Sequence, residues 1–320
     1  MLLNLNQVTD LISEGKLLHI AASEDLLLKL PQGSWIGGST EYFMGDGGGV
    51  ISNELLFVDE LPAVEYTIRN YDETNMSELT HDAYGHGYSV IILPFDSEAH
   101  KYFARNAATF DDIFLKNVIG WVSGTNLAKE GQTPLVINGF NGSILKDQAV
   151  VIHASLQEDQ LVQLGIVNIF KEYTDSPVLE FPEDTFSVTT CRINGEEVVF
   201  ADFIAEHNID TQLPLIGDYS GVGINISIKS IEDGVVHLYA PVFSGISYKL
   251  AQNIADYAAE FRSHLERFED VTTVFSCNCV LNFLYGGLEG KDTGSFTGPI
   301  TFGEVAYQLV NQTLVYLVIL

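Results

Sequence analysis

Positive charge is what this chain has least of. Its 320 residues carry 15 Lys+Arg against 43 Asp+Glu, a formal net charge of −28. A field of that sign repels phosphate, so neither nucleic acid nor an anionic membrane surface is expected as a partner. Cysteine is scarce too. Cys191, Cys277 and Cys279 form an odd, sparse set, which suits a reducing cytoplasm and not a disulfide framework. No run of 18 apolar residues occurs, so no spanning helix is expected. The N-terminal MLLNLNQVTDLISEGKLL has no basic segment and is interrupted by Asp10 and Glu14, so it does not read as a signal peptide. Also missing are a Walker loop, Gly-x-Gly-x-x-Gly and Gly-x-Ser-x-Gly. Their absence argues against a nucleotide cradle and a hydrolase elbow. The glycine-rich 45–49 lacks Lys and precedes a strand, so it reads as a tight turn.

Apolar residues, by contrast, make up 46 % of the chain, enough for a large core and incompatible with an acidic disordered segment. The acid is evenly spread, with 22 acidic and 8 basic side chains in residues 1–160 and 21 and 7 in residues 161–320. That spread reads as a solvated acidic surface over the whole body; steering of a cationic partner is the alternative.

Periodicity predicts helices over 5–18, 23–30, 97–116, 200–209 and 247–268. The last is the longest, with Leu250, Ile254, Tyr257, Ala258, Phe261 and Leu265 on one face. Alternating β-branched and aromatic runs predict strands over 50–61 and 64–71 as antiparallel neighbours. Others are expected over 88–95, 118–126, 134–140, 147–156 and 314–320. Asn194-Gly195 and Asp233-Gly234 predict tight hairpins. Strands and helices mix in both halves, giving an α+β class: largely antiparallel sheets flanked by helices. Gly-Gly-Val-x-x-Asn-x-Leu at 48–55 echoes Gly-Glu-Val and Asn-x-Thr-Leu within 303–314, which is compatible with a duplicated layered sandwich.

Several short motifs come in a specific order. Trp35-Ile36-Gly37-Gly38-Ser39-Thr40-Glu41 is followed by Gly120-Trp121-Val122-Ser123-Gly124-Thr125, then by Asn194-Gly195-Glu196-Glu197-Val198. Phe275-Ser276-Cys277-Asn278, Gly298-Pro299-Ile300-Thr301-Phe302-Gly303-Glu304 and Asn311-Gln312-Thr313-Leu314 close the series. This order resembles the FIST sensory family in its N- and C-domain arrangement. The resemblance implies an N-like domain over 1–158 and a C-like domain over 159–320. Gly38 stands where the family has Cys, and Cys279-Val280 where it has Gly-Arg, so a cationic anchor is missing.

The resemblance implies a sensor that binds a small polar metabolite, such as an amino acid, between the two halves and acts on a signalling partner protein. No kinase, cyclase or receiver segment is expected within the 320 residues. The candidate ligand residues are Gly38, Ser39, Thr40, Glu41, Ser123, Gly124, Thr125, Ser276, Cys277, Asn278, Thr301, Phe302, Gly303 and Glu304. Small residues there allow close backbone approach and offer N–H and O–H groups. Glu41 and Glu304, on glycine-rich loops of opposite halves, would pair with an amine. A site with carboxylates and no cation favours a cationic or zwitterionic ligand. Neither a cofactor, a metal nor a catalytic residue is expected. Cys277-x-Cys279 has too few ligands for zinc, and His81 and His86 lie in a glycine-rich segment that reads as a solvated loop. Two other readings stay open: an enzyme with Cys277 or Ser276 as nucleophile, and a ligand-free interaction scaffold.

Overall fold

The computed structural model describes residues 1–219, 221–265 and 273–320. A strand, a helix and a second strand parallel to the first recur three times. The units are Leu18–Ala22 with Glu24–Leu27 and Trp35–Ser39; Gly87–Pro94 with Glu98–Asn106 and Val118–Ser123; and Thr273–Cys279 with Val280–Tyr285 and Gly298–Thr301. Parallel neighbours need such a crossover, because a tight turn cannot join them. The second strand of each unit runs out into one of the three Gly/Ser/Thr loops. The other pairings are antiparallel, and the class is α+β, as the mixed pattern predicts.

The two halves exchange strands. Tyr42–Gly45 pairs with Gly298–Thr301, and Glu304–Ala306 pairs with Val118–Ser123. Strands from both sides of residue 158 therefore share sheets, and one apolar cluster runs from Leu17 to Val318. A smaller core lies under the helices Leu5–Ser13 and Glu24–Leu27. There Val8, Ile12 and Leu27 cover Leu18, Ile20 and Trp35. Strand alternation sends Leu18 and Ile20 to this face and Ala21 to the larger core.

Between the layers sits His19, fully buried. The indole N–H of Trp121 can only donate, so Nε2 of His19 accepts it at 2.7 Å. The ring proton then lies on Nδ1, which faces Asp59 at 2.9 Å. His153 is likewise a strand histidine held in place, by Tyr71 and Ser89 at 2.8 Å each.

Some local expectations yield to long-range pairing. Residues 247–256 are not helical: Ser247–Leu250 is a strand between Leu179–Glu180 and Leu215–Tyr219, with Tyr248 fully buried. The helix is present over Tyr257–Leu265, and residues 266–268 of the expected helix lie outside the described residues. Two open strand edges compete there with a weak helical pattern, and pairing wins. The strand Tyr66–Tyr71 pairs with Ala149–Ser155, not with the strand before it. Leu18–Ala22, expected partly as helix, is a central strand. Both hairpins form as their turn residues require, with Asn194 and Asp233 at φ 50° and Gly195 and Gly234 at 90° and 80°.

Candidate functional site

The three loops meet, as the order of motifs implies, but they meet by packing against each other. Ser39 Oγ donates to Gly124 O at 2.8 Å and accepts from Leu135 N, while Gly124 N donates to Ser39 O at 2.7 Å. Thr40 Oγ1 donates to Ile300 O across the halves at 2.9 Å. Val122 and Phe302 through Gly303 exchange backbone hydrogen bonds. A Cβ on Gly124 would lie 1.9 Å from the Phe302 ring, and one on Gly38 would lie 2.7 Å from Ile92. Small residues here serve close approach of chain to chain.

Ser39, Thr40, Glu41, Gly124 and Thr125 do line a crevice, but its volume is about 10 Å³. That is room for one water, not for an amino acid. Glu41 is not free for an amine either. Lys129 Nζ donates to its two oxygens at 2.6 and 2.9 Å, and Asn126 Nδ2 at 2.7 Å. The missing cation is thus supplied from another place in the chain.

Glu304 lies elsewhere, fully buried, and shares no hydrogen-bond partner with Glu41 among the described residues. Its Oε2 accepts from Thr313 N and Thr313 Oγ1 at 3.2 and 2.9 Å. Thr301 Oγ1 is 3.0 Å from Glu304 Oε1 and 3.2 Å from Asn278 O. A hydroxyl has one proton for these two acceptors. A protonated Glu304 resolves the conflict, donating to Thr301 while Thr301 donates to Asn278. Burial pushes the Glu304 pKa up to about 8, against the opposing effect of the hydrogen bonds from Thr313, Thr301 and Cys279.

The remaining predicted residues are interior. Ser276 Oγ donates to Thr297 O at 2.7 Å, and Cys277 Sγ lies 3.6 Å from Gly120 O. Ser123 Oγ and Asn278 Nδ2 are buried without a hydrogen-bond partner among the described residues. Burial, helped by the nearby Glu304 carboxyl, pushes Cys277 and Cys279 well above the ordinary thiol range. Both thiols should therefore resist iodoacetamide at pH 7.5 in the folded protein and react once urea unfolds it. Faster labelling of native Cys277 than of a free cysteine would restore the nucleophile reading. His81 faces Glu78 and Asp111, whereas His86 meets Gln157 O, so the two do not act together.

A larger opening lies where the sequence gave little warning. A cavity of about 370 Å³ separates the helix Glu98–Asn106 from Thr185–Val188 and the hairpin Ile228–Glu232/Val235–Val242. One wall thus comes from each half. It begins at Phe95, where the central strand ends in Pro94 and Asp96 adopts φ 62°. Ser97 then caps the helix, its Oγ accepting from His100 N at 3.0 Å. This fixes His100 in the wall, 2 % exposed. Asp96 N donates to His100 Nδ1 at 3.2 Å, so the ring proton sits on Nε2, which is buried and has no hydrogen-bond partner among the described residues. Burial drives the His100 pKa down to about 4.

Lys101, Arg105 and Lys229 also line the cavity, three of only 15 basic residues, beside Asp96 and Glu232. Arg105 sits over the Phe186 ring at 5.3 Å and Lys229 over Phe95 at 5.0 Å. Phe302, one of the predicted residues, touches this site through Phe95, with ring centroids 5.9 Å apart. In sequence the only signal was the cluster His100, Lys101 and Arg105 in an acid-rich chain; Lys229 comes from 124 residues further on.

Residues 3–320 match the sequence profile of DUF6976, a family of unknown function. No curated protein matches the chain.

Proposed function

The chain belongs to the DUF6976 family, and we propose that it is a non-enzymatic binding protein for a small polar metabolite, seated in the cavity between the helix Glu98–Asn106 and the hairpin Ile228–Glu232/Val235–Val242. One observation carries this reading. A volume of about 370 Å³, walled by both halves and by the rings of Phe95, Phe186 and Tyr239, gathers the basic side chains of Lys101, Arg105 and Lys229. Ligand sites combine apolar walls with a few converging polar groups in this way.

The sealed thiols support binding over nucleophilic chemistry. The loop motifs that resemble FIST sensors support a sensory role. In that role ligand occupancy would shift the two walls towards a closed form that a signalling partner reads. Phe302, between Gly124 and Phe95, is the contact by which the loops would feel the cavity. A cytoplasmic setting follows from the sparse, free cysteines.

The test is a thermal-shift panel of amino acids, carboxylates, phosphates and polyamines, run on the wild type and on Ser230→Trp, which plugs the cavity from its hairpin wall. Ligand at about 100 Kd adds roughly 2.7 kcal/mol of stability. At least one compound should stabilise the wild type and leave the plugged variant unmoved. Silence across the panel, or equal shifts in both proteins, sinks the reading.

A further inference from the structure

We infer that the ligand group this cavity takes is an oxyanion, a carboxylate or a phosphate. The inference rests on the cavity being the binding site and adds the chemistry of its occupant. It reverses the expectation of a cationic ligand drawn from Glu41 and Glu304, since Glu41 is already matched by Lys129 and Glu304 is sealed in the core.

The first argument is the donor chemistry of the lining: the heads of Arg105 and Lys229 offer only N–H groups, which bond an acceptor and give nothing to an ammonium. The second is charge. Lys101 is engaged by Asp96 and Glu98 at 3.3 Å each. Arg105 and Lys229 form no ion pair among the described residues. With Lys101 they outnumber the two lining carboxylates, Asp96 and Glu232, in a chain where acid outnumbers base by 43 to 15. Glu232 is the one lining carboxylate without an ion pair among the described residues. The third is orientation. The Phe186 and Phe95 rings hold the Arg105 and Lys229 heads at the cavity wall, so less side-chain freedom is lost when an anion arrives. Elsewhere the acidic surface repels anions, which confines the attraction to this opening.

Calorimetric titrations at low salt with inorganic phosphate, citrate and putrescine separate the cases. Phosphate or citrate should bind, and whichever binds more tightly identifies the oxyanion. Affinity should fall with added NaCl. It should also fall at least tenfold in the double variant Arg105→Gln/Lys229→Gln, which changes only exposed side chains and leaves the fold intact. Binding of putrescine without either anion overturns the inference, as does anion binding unchanged in the double variant. A neutral or cationic panel compound that is lost in Ser230→Trp keeps the binding reading and removes only the oxyanion. Silence of every compound removes both.

Discussion

Glu304→Gln is expected to make the protein more stable than wild type at pH 8 and to flatten its loss of stability above pH 6.5. The carboxyl is fully buried, and burial raises its pKa from an ordinary 4.5 to about 8. Between those values the folded state holds a proton that the unfolded chain releases. Stability contributed by this group is therefore full below about pH 4.5 and is lost as pH rises to 8. The total is on the order of several kcal/mol. His100 and His153 act with the opposite sign. Burial lowers both to about 4, so their contribution is full above about pH 6.5 and is lost as pH falls towards 4. Together the three groups place the maximum of wild-type stability near pH 6.5.

Glutamine cannot ionise, yet it reproduces the protonated acid. Its Nε2 donates to Thr301 Oγ1, and its Oε1 accepts from Thr313 N and Oγ1. Urea midpoints of both proteins from pH 5 to 8.5 measure the effect. The curves should lie close together at pH 5 and separate as pH rises. Parallel curves would mean that Glu304 keeps the same protonation folded and unfolded.

The second large effect is expected at Gly120. This residue lies on the strand Val118–Ser123, opposite Ile91 of the parallel strand Gly87–Pro94. A Cβ there would sit 1.9 Å from Ile91 O and 2.8 Å from Ile91 C. The obstacle is backbone in the middle of a sheet, so no side-chain rotation relieves it. The opposite edge of the strand is also held, by Glu304–Ala306. Gly120→Ala should cost at least about 3 kcal/mol through overpacking and broken ladder bonds. Gly85→Ala is the control, with open space around the added methyl, and should change stability by less than about 0.5 kcal/mol. A Gly120→Ala protein with a wild-type urea midpoint would show that the two strands are not fixed at this spacing.

Much of the local structure was legible because it rests on neighbours in the chain. Asn194-Gly195 and Asp233-Gly234 adopt left-handed turns that few other pairs tolerate, and both hairpins follow from them. Ser97 and the apolar period after it place the helix of the cavity wall. The meeting of Gly38, Ser39, Gly124 and Phe302 was expected from the family resemblance. Its purpose was not legible, since a glycine that admits a ligand and one that admits a neighbouring loop look alike in sequence.

By itself, then, the sequence determined the α+β class, the turns and the acidic surface, while the meeting of the loops was expected only from the family resemblance. Tertiary structure decided which strands pair, so that Ser247–Leu250 extends a sheet against its helical pattern. It decided that Glu41 meets Lys129 88 residues away, and that Glu304 is sealed. It also brought Lys229 and Phe186 to His100 and Arg105, which makes the cavity. The physical reason is range. Turn and cap preferences act over a few bonds, whereas partner charge, solvent exclusion and open volume depend on chain segments that only the folded core brings together.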